Sequence, residues 1–258
     1  MDKGGIRHVV AVGSGKGGVG KSSVTALLAV ELRREGHSVG VLDADVTGPS
    51  IPKLFGLTGP LQDRGEGIEP AVSRSGISVV SSQFMVEDEQ TPVIWRGPLV
   101  TRLITQFFGS VQWGALDYLL IDMPPGTSDV PLTVFQTIPI DGMVFVLTPQ
   151  DLAAMIVKKA MNMARELHVP LLGVIDNMAW ITCPHCSTRI ELFGPSHVDR
   201  VGEEYGIPVL GHLPVEPSIS AESDAGEIEG HRGPELTRLA EAFTHAVDEA
   251  TKGSVSML

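Results

Sequence analysis

The sequence predicts an α/β fold, a mainly parallel twisted sheet with helices on both faces. Two observations predict it. Short β-branched runs alternate with helical patterns along the chain, the order that a parallel sheet with crossover helices imposes. The first such run also leads through a glycine-rich loop directly into a helix, a strand–loop–helix unit.

His8 to Val12 is an apolar strand. After the glycine loop, a helix runs from about Lys21 to Glu35, with Val24, Leu27, Leu28 and Leu32 on one face. Ser38 to Leu42 and Ile77 to Val80 read as strands. Pro98 to Val111 reads as a helix, and Tyr118 to Ile121 as a buried strand. Met143 to Leu147 is a strand, followed by the helix Leu152 to Leu167. Leu171 to Ile175 and Val209 to Leu213 complete the strands. The last helix, Pro234 to Ala250, carries Leu236, Leu239, Phe243 and Val247 at helical spacing. Two segments read as long loops, Asp45 to Gly76 and Asn177 to Phe193, and such loops tend to be functional. No linker divides the chain, which predicts one domain over residues 1–258.

The formal charge is −12 and no basic block occurs. Binding to nucleic acid needs clustered Lys and Arg, so no nucleic-acid partner is expected. The longest apolar stretches, such as Gly142 to Leu147, are too short to span a bilayer, so no membrane partner is expected either. Met1 to Gly5 carries no apolar signal core, and the expected location is the cytoplasm.

The loop Gly15-Lys16-Gly17-Gly18-Val19-Gly20-Lys21-Ser22 fits the phosphate-binding pattern G-x₄-G-K-S between a strand and a helix. Its glycines let successive backbone N–H groups turn toward phosphate oxygens, and the helix N-terminus adds its positive end. Lys21 is expected at the β- and γ-phosphates, Ser22 on Mg²⁺ and Ser23 near the α-phosphate, so the expected ligand is ATP with Mg²⁺. The alternative is a glycine turn with no ligand.

Two carboxylate motifs follow. Tyr118-Leu119-Leu120-Ile121-Asp122 is an apolar strand ending in aspartate, which suits Asp122 to Mg²⁺. In Asp43-Ala44-Asp45, Asp45 opens a loop and is the candidate to orient the attacking water. Asp43 reads equally as a turn or cap residue. The stiff turn Pro124-Pro125-Gly126 offers an amide that could sense the γ-phosphate.

Lys16 is a second lysine inside the loop, where most such loops carry no charge. It reads either as a solvated surface lysine or as a signature. Lys-Gly-Gly-x-Gly-Lys-Ser resembles the deviant Walker A class of P-loop ATPases, which includes MinD, ParA, the arsenite pump and the nitrogenase iron protein. That resemblance implies that Lys16 reaches across a dimer interface to the partner's nucleotide.

The only cysteines, Cys183 and Cys186, form one Cys-Pro-His-Cys, which excludes a disulfide framework. Their spacing allows one shared metal or cluster. A thioredoxin-like couple would sit at a helix start, whereas here the motif lies in a late loop. Zinc and iron–sulfur clusters both want four ligands, and one chain offers two thiols and at most His185. Two chains with a pair each supply four. Two unliganded buried cysteines are the structural alternative.

Taken together, these residues resemble one family, the Mrp-type (ApbC-type) iron–sulfur cluster carrier ATPases. The likeness rests on Ser14 to Ser23, on Leu42 to Pro52, on Trp95-Arg96-Gly97-Pro98, on Asp117 to Asp122 with Pro124 to Thr127, on Asp176-Asn177-Met178 and on Cys183 to Cys186. It runs from about residue 7 to about residue 225. It implies an ATP-hydrolysing homodimer that holds a labile [4Fe-4S] cluster between subunits, with Cys183 and Cys186 from each, and passes it to apoproteins. By the same likeness Asn177 reads the adenine edge, and Zn²⁺ can occupy the same thiolates. Ser187 and Ser128 stand where glycine is usual, Asp176 where glutamate is common, and Thr47 where an aromatic is usual; none removes a ligand. The rival is a MinD/ParA-like positioning or partitioning ATPase. It does not explain the cysteines, and the tail Thr251 to Leu258 lacks a basic apolar face for a membrane.

Overall fold

The computed structural model describes residues 1–63, 65, 67–85, 97–127, 129–150 and 155–255. In chain order the first half comprises β1 (Ile6–Ser14), α1 (Lys21–Arg34), β2 (Val39–Asp43), α2 (Ile51–Leu54), β3 (Gln62–Asp63), β4 (Ile68–Glu69), β5 (Ala71–Val72), β6 (Ser78–Ser81), α3 (Gly97–Ser110) and β7 (Leu116–Asp122). The second half comprises α4 (Asp129–Thr137), β8 (Gly142–Leu147), α5 (Met155–Glu166), β9 (Leu171–Asp176), β10 (Ile181–Thr182), β11 (Arg189–Ile190), α6 (Val198–Tyr205), β12 (Val209–His212), α7 (Pro217–Ala225) and α8 (Pro234–Val255).

Among the described residues, eight strands form one sheet in the order β12-β9-β8-β1-β7-β2-β6-β5. All its pairings are parallel except β5 against β6, which closes one edge. β1 shows why the strands read as unbroken apolar runs. Val9 and Ala11 face a core shared with α3, α4, α5 and α6, while Val10 and Val12 face a second core built on α1 and α8. A sheet covered on both faces needs apolar side chains in both directions.

Each strand and helix read from the sequence is present, with ends displaced by a few residues; the His8–Val12 strand extends to Ile6–Ser14. The segment Thr251–Val255, expected as tail, continues α8. Residues 152–154, the start expected for the helix that is seen as α5, lie outside the described residues, as do Trp95, Arg96 and Ser128. Both long loops hold short structure: α2, the β3–β4 hairpin and β5 in the first, and the β10–β11 hairpin in the second. Ser14, Asp43, Asp122 and Asp176 all lie at carboxyl ends of parallel strands, the edge where open α/β sheets bind ligands.

Candidate nucleotide site and cysteine hairpin

β1 ends at Ser14 and α1 begins at Lys21, so residues 15–20 form the loop between them. Gly20 caps α1 at φ 80°, and Gly18 sits at φ 81°, both in the left-handed region that glycine enters without a Cβ penalty. A Cβ on Gly20 would lie 2.4 Å from Asn177 Nδ2. A Cβ on Gly17 or Gly18 would meet nothing within 4 Å, so the loop presents an open backbone face suited to phosphate. Ser14 donates its hydroxyl to the Lys16 carbonyl at 3.0 Å, and Gly126 donates its N–H to the Ser14 carbonyl at 3.0 Å. The latter bond places the Pro124–Gly126 turn against the end of β1, where the loop begins. Lys16 itself is half-buried.

Lys21, Ser22 and Asp122 converge. Lys21 Nζ lies 2.7 Å from Asp122 Oδ1, and the Ser22 hydroxyl donates to Asp122 Oδ2 at 2.6 Å. Asp122 is fully buried and Lys21 nearly so. A hydroxyl and a carboxylate this close form a hard-oxygen pair that can hold Mg²⁺, so the donor set fits that ion. Thr25 also reaches Asp122 Oδ1, at 3.0 Å; the sequence reading did not single it out.

Asp43 plays a different part. Its Oδ2 accepts the backbone N–H groups of Ser50 at 3.1 Å and Ile51 at 3.3 Å and the Ser81 hydroxyl at 3.0 Å, while Oδ1 accepts the Asp45 N–H at 3.2 Å. It is therefore the cap and turn residue of the loop that follows β2. Burial, reinforced by the neighbouring Asp122 charge, pushes its carboxyl up to about 7. Asp45 accepts the Thr47 hydroxyl at 2.9 Å, within its own loop.

Asn177 leaves β9 and donates through Nδ2 to the Val19 carbonyl at 2.8 Å. Beside it lies a pocket of about 310 Å³ whose floor is Gly20, Ser23, Val24 and Leu27. Its walls include Asn177, Met178, Leu213, Pro214, Ile219 and Leu236. A carboxamide has two N–H donors and two acceptor lone pairs, so the bond to Val19 leaves others for a base edge. The far wall, from Leu213 through α7, was not legible as a site. Its one signal was the paired prolines Pro214 and Pro217 after β12.

The cysteines occupy the tip of the β10–β11 hairpin. Ile181 pairs with Ile190 and Thr182 with Arg189, and the tip closes through Cys183 N–H to the Thr188 carbonyl and Ser187 N–H to the Cys183 carbonyl, each 2.9 Å. Cys186 is exposed and Cys183 half-buried, which removes the alternative of two buried cysteines. Cys186 Sγ lies 3.3 Å from the Thr188 hydroxyl, and hydrogen bonds from that hydroxyl, from the Thr188 backbone and from Cys183 draw its pKa down, toward the thiolate that binds metal. Among the described residues no group of three or more His, Cys, Asp and Glu is placed to hold a metal, so His185 does not complete a site with the two thiols. Ser187 adopts φ 58°, in the left-handed region that favours glycine. At the hairpin's root Arg189 stacks over Trp180 at 4.2 Å, Ala179 N–H donates to the Leu213 carbonyl at 2.9 Å and Val215 N–H to the Trp180 carbonyl at 2.7 Å. Leu213 and Val215 also line the pocket, so pocket and hairpin share one backbone seam.

A family model described as the NUBPL iron-transfer P-loop NTPase matches residues 5–250. The chain belongs to this family. The match extends past residue 225, where the motif likeness ended, to cover most of α8. An iron-sulfur cluster carrier protein of Aquifex aeolicus is 43% identical over 256 residues, covering 98% of this chain and 70% of that protein. The cytosolic Fe-S cluster assembly factor CFD1 of Saccharomyces cerevisiae is 43% identical, covering 83% of this chain and 76% of its own. Among solved structures, a nucleotide-binding protein of Archaeoglobus fulgidus in complex with ADP shares 44% identity and a TM-score of 0.81, covering 90% of this chain and 91% of that one. The cell division ATPase MinD of Pyrococcus furiosus, at 19% identity and a TM-score of 0.67, shares the fold. This family member is thus a P-loop nucleotide-binding protein by its loop geometry and by its relatives. Among its described residues no helix is long and apolar enough to cross a membrane.

Proposed function

We propose that this chain is an ATP-hydrolysing iron–sulfur cluster carrier that works as a homodimer in the cytoplasm and hands its cluster to apoproteins. The observation that carries the reading is the pairing of the Lys21–Asp122–Ser22 phosphate site with a Cys183/Cys186 hairpin, its Cys186 exposed, rooted on the wall of the adjoining pocket. The names of the Aquifex and yeast relatives support the cargo, and the ADP in the Archaeoglobus structure supports the nucleotide.

In this reading the loop 15–20 and Lys21 bind the phosphates, with Ser23 beside the α-phosphate and the adenine in the 310 Å³ pocket against Asn177. Ser22 and Asp122 would hold Mg²⁺, which would supply charge neutralisation to the phosphates. Lys21, now on Asp122, turns to the phosphates. Asp45 orients the attacking water, and Lys16 contacts the partner's nucleotide. Cys183 and Cys186 of each subunit bind the cargo, a [4Fe-4S] cluster, as four thiolates at a two-fold axis. Zn²⁺ competes for the same sulfurs.

Iron and acid-labile sulfide per chain, measured with dimer mass after anaerobic reconstitution, test this. About one four-iron cluster per dimer is expected, on a count of four thiolates per cluster. Its loss in Cys183→Ala and Cys186→Ala, with ATP binding retained, is expected too. A full cluster on a monomer, or one kept after both cysteines are replaced, overturns the bridging arrangement.

A further inference from the structure

We infer that Thr25 is a positioning residue that fixes the Asp122 carboxylate while Mg²⁺ and nucleotide are bound. Thr25 is fully buried on α1, one turn after Lys21. Its hydroxyl lies 2.9 Å from the Lys21 carbonyl and 3.0 Å from Asp122 Oδ1. A threonine hydroxyl has one proton to give. The Lys21 carbonyl already has the helical N–H of residue 25 as its partner, as α-helical geometry dictates, whereas a bond to an ionised carboxylate is the stronger one. The proton therefore goes to Asp122.

The role emerges when the partners of Asp122 are followed one by one. Oδ2 takes the Ser22 hydroxyl, an arrangement that persists when the Ser22 oxygen lone pairs face a cation. Oδ1 takes Lys21 and Thr25. Lys21 is the same ammonium that nucleotide phosphates claim. Once it turns to them, Thr25 is the side chain left on Oδ1, and with Ser22 still on Oδ2 it keeps the carboxylate plane from rotating. In the nucleotide-free protein Lys21 makes Thr25 redundant; in the loaded protein Thr25 is needed. This inference rests on the reading of Asp122 as a Mg²⁺ ligand.

The test uses the full chain with Thr25→Val, Thr25→Ser and, in parallel, Asp122→Asn. The readout is binding of a fluorescent ADP analogue across a Mg²⁺ series and in EDTA, so turnover plays no part. Thr25→Val is expected to raise the Mg²⁺ needed for half-maximal tight binding about tenfold, the effect of losing one hydrogen bond to a charged group. Binding in EDTA and the melting temperature without nucleotide should stay near wild type, and Thr25→Ser should restore the Mg²⁺ midpoint. If Thr25→Val does not fold, Thr25→Ala carries the same comparison, alanine being a good helix former. An unshifted midpoint in the folded variant, or an equal loss in EDTA, overturns the role of Thr25 and leaves a helix-packing hydroxyl. A shifted Asp122→Asn beside an unshifted Thr25→Val sinks Thr25 alone. An unshifted Asp122→Asn sinks the Mg²⁺ reading and Thr25 with it.

Discussion

The Asn177 carboxamide donates to the Val19 carbonyl at 2.8 Å, joining the strand that leads to the cysteines to the phosphate loop. The contact is tight because Gly20 has no side chain, its missing Cβ falling 2.4 Å from Asn177 Nδ2. Gly20→Ala is therefore expected to lose about 1–2 kcal/mol from the left-handed backbone and to displace Asn177 as well. Calorimetric titration with ADP should show weaker binding than Asn177→Ala alone does. Wild-type affinity in a folded Gly20→Ala protein would count against the close approach.

Asp45 and Asp122 stand apart in the structure, one bonded within its own loop and one in the buried phosphate site. Asp45→Asn should keep ATP bound and slow its hydrolysis. Asp122→Asn should change the Mg²⁺ dependence of binding. Two variants alike in both assays would contradict separate roles.

The partner-reaching role proposed for Lys16 is testable by mixing. Lys16→Ala and Lys21→Ala chains are each expected to be inactive. In a mixed dimer one site carries both defects and the other neither, so activity should return toward half of wild type in this simplest two-site count. No recovery in a verified mixed dimer would place Lys16 in its own subunit's site.

Two histidines give opposite acid–base signatures. His8 is buried, stacks on Tyr118 and has no hydrogen-bond partner on either ring nitrogen; burial first, and then the Arg7 charge, lower its pKa below 6.5. The unfolded chain then binds the proton more readily, so stability is lost as pH falls below about 6.5. His212 donates to Asp176, and that bond raises its pKa above 6.5. Its contribution is complete below 6.5 and is lost as pH rises through the folded value. Thermal melts from pH 5 to 9 should show His8→Phe relieving the acid-side loss, while the deficit of His212→Gln shrinks as pH rises. A pH-independent difference for either variant would refute its part.

The layered sheet was legible because strands buried on both faces, such as Val9 to Val12, read as continuous apolar runs. The phosphate loop was legible because its glycines are demanded by backbone geometry at fixed spacing. What escaped was structure without periodicity. α7 buries none of its residues, so no apolar stripe marks it, and only Pro217 at its start and Gly226 at its end hint at a helix. α4 carries Pro131 and four β-branched residues in nine, and no element was read there. The pocket wall formed by α7 was lost with it. Thr25 was missed for another reason, since at helical spacing a buried threonine looks like any core position until its hydroxyl is seen on Asp122.

The hairpin's root has a consequence for delivery. The backbone is pinned at Ala179 and Trp180, and Cys183 follows three residues later. Three residues reach at most about 11 Å, so the thiols sit on a short stub and not on a swinging arm. If these thiols hold the cargo, as proposed above, a recipient has to travel to the carrier and press its own surface against the stub. Delivery then becomes an encounter between two bodies, paced by their concentrations and by how well the recipient's contour admits the tip.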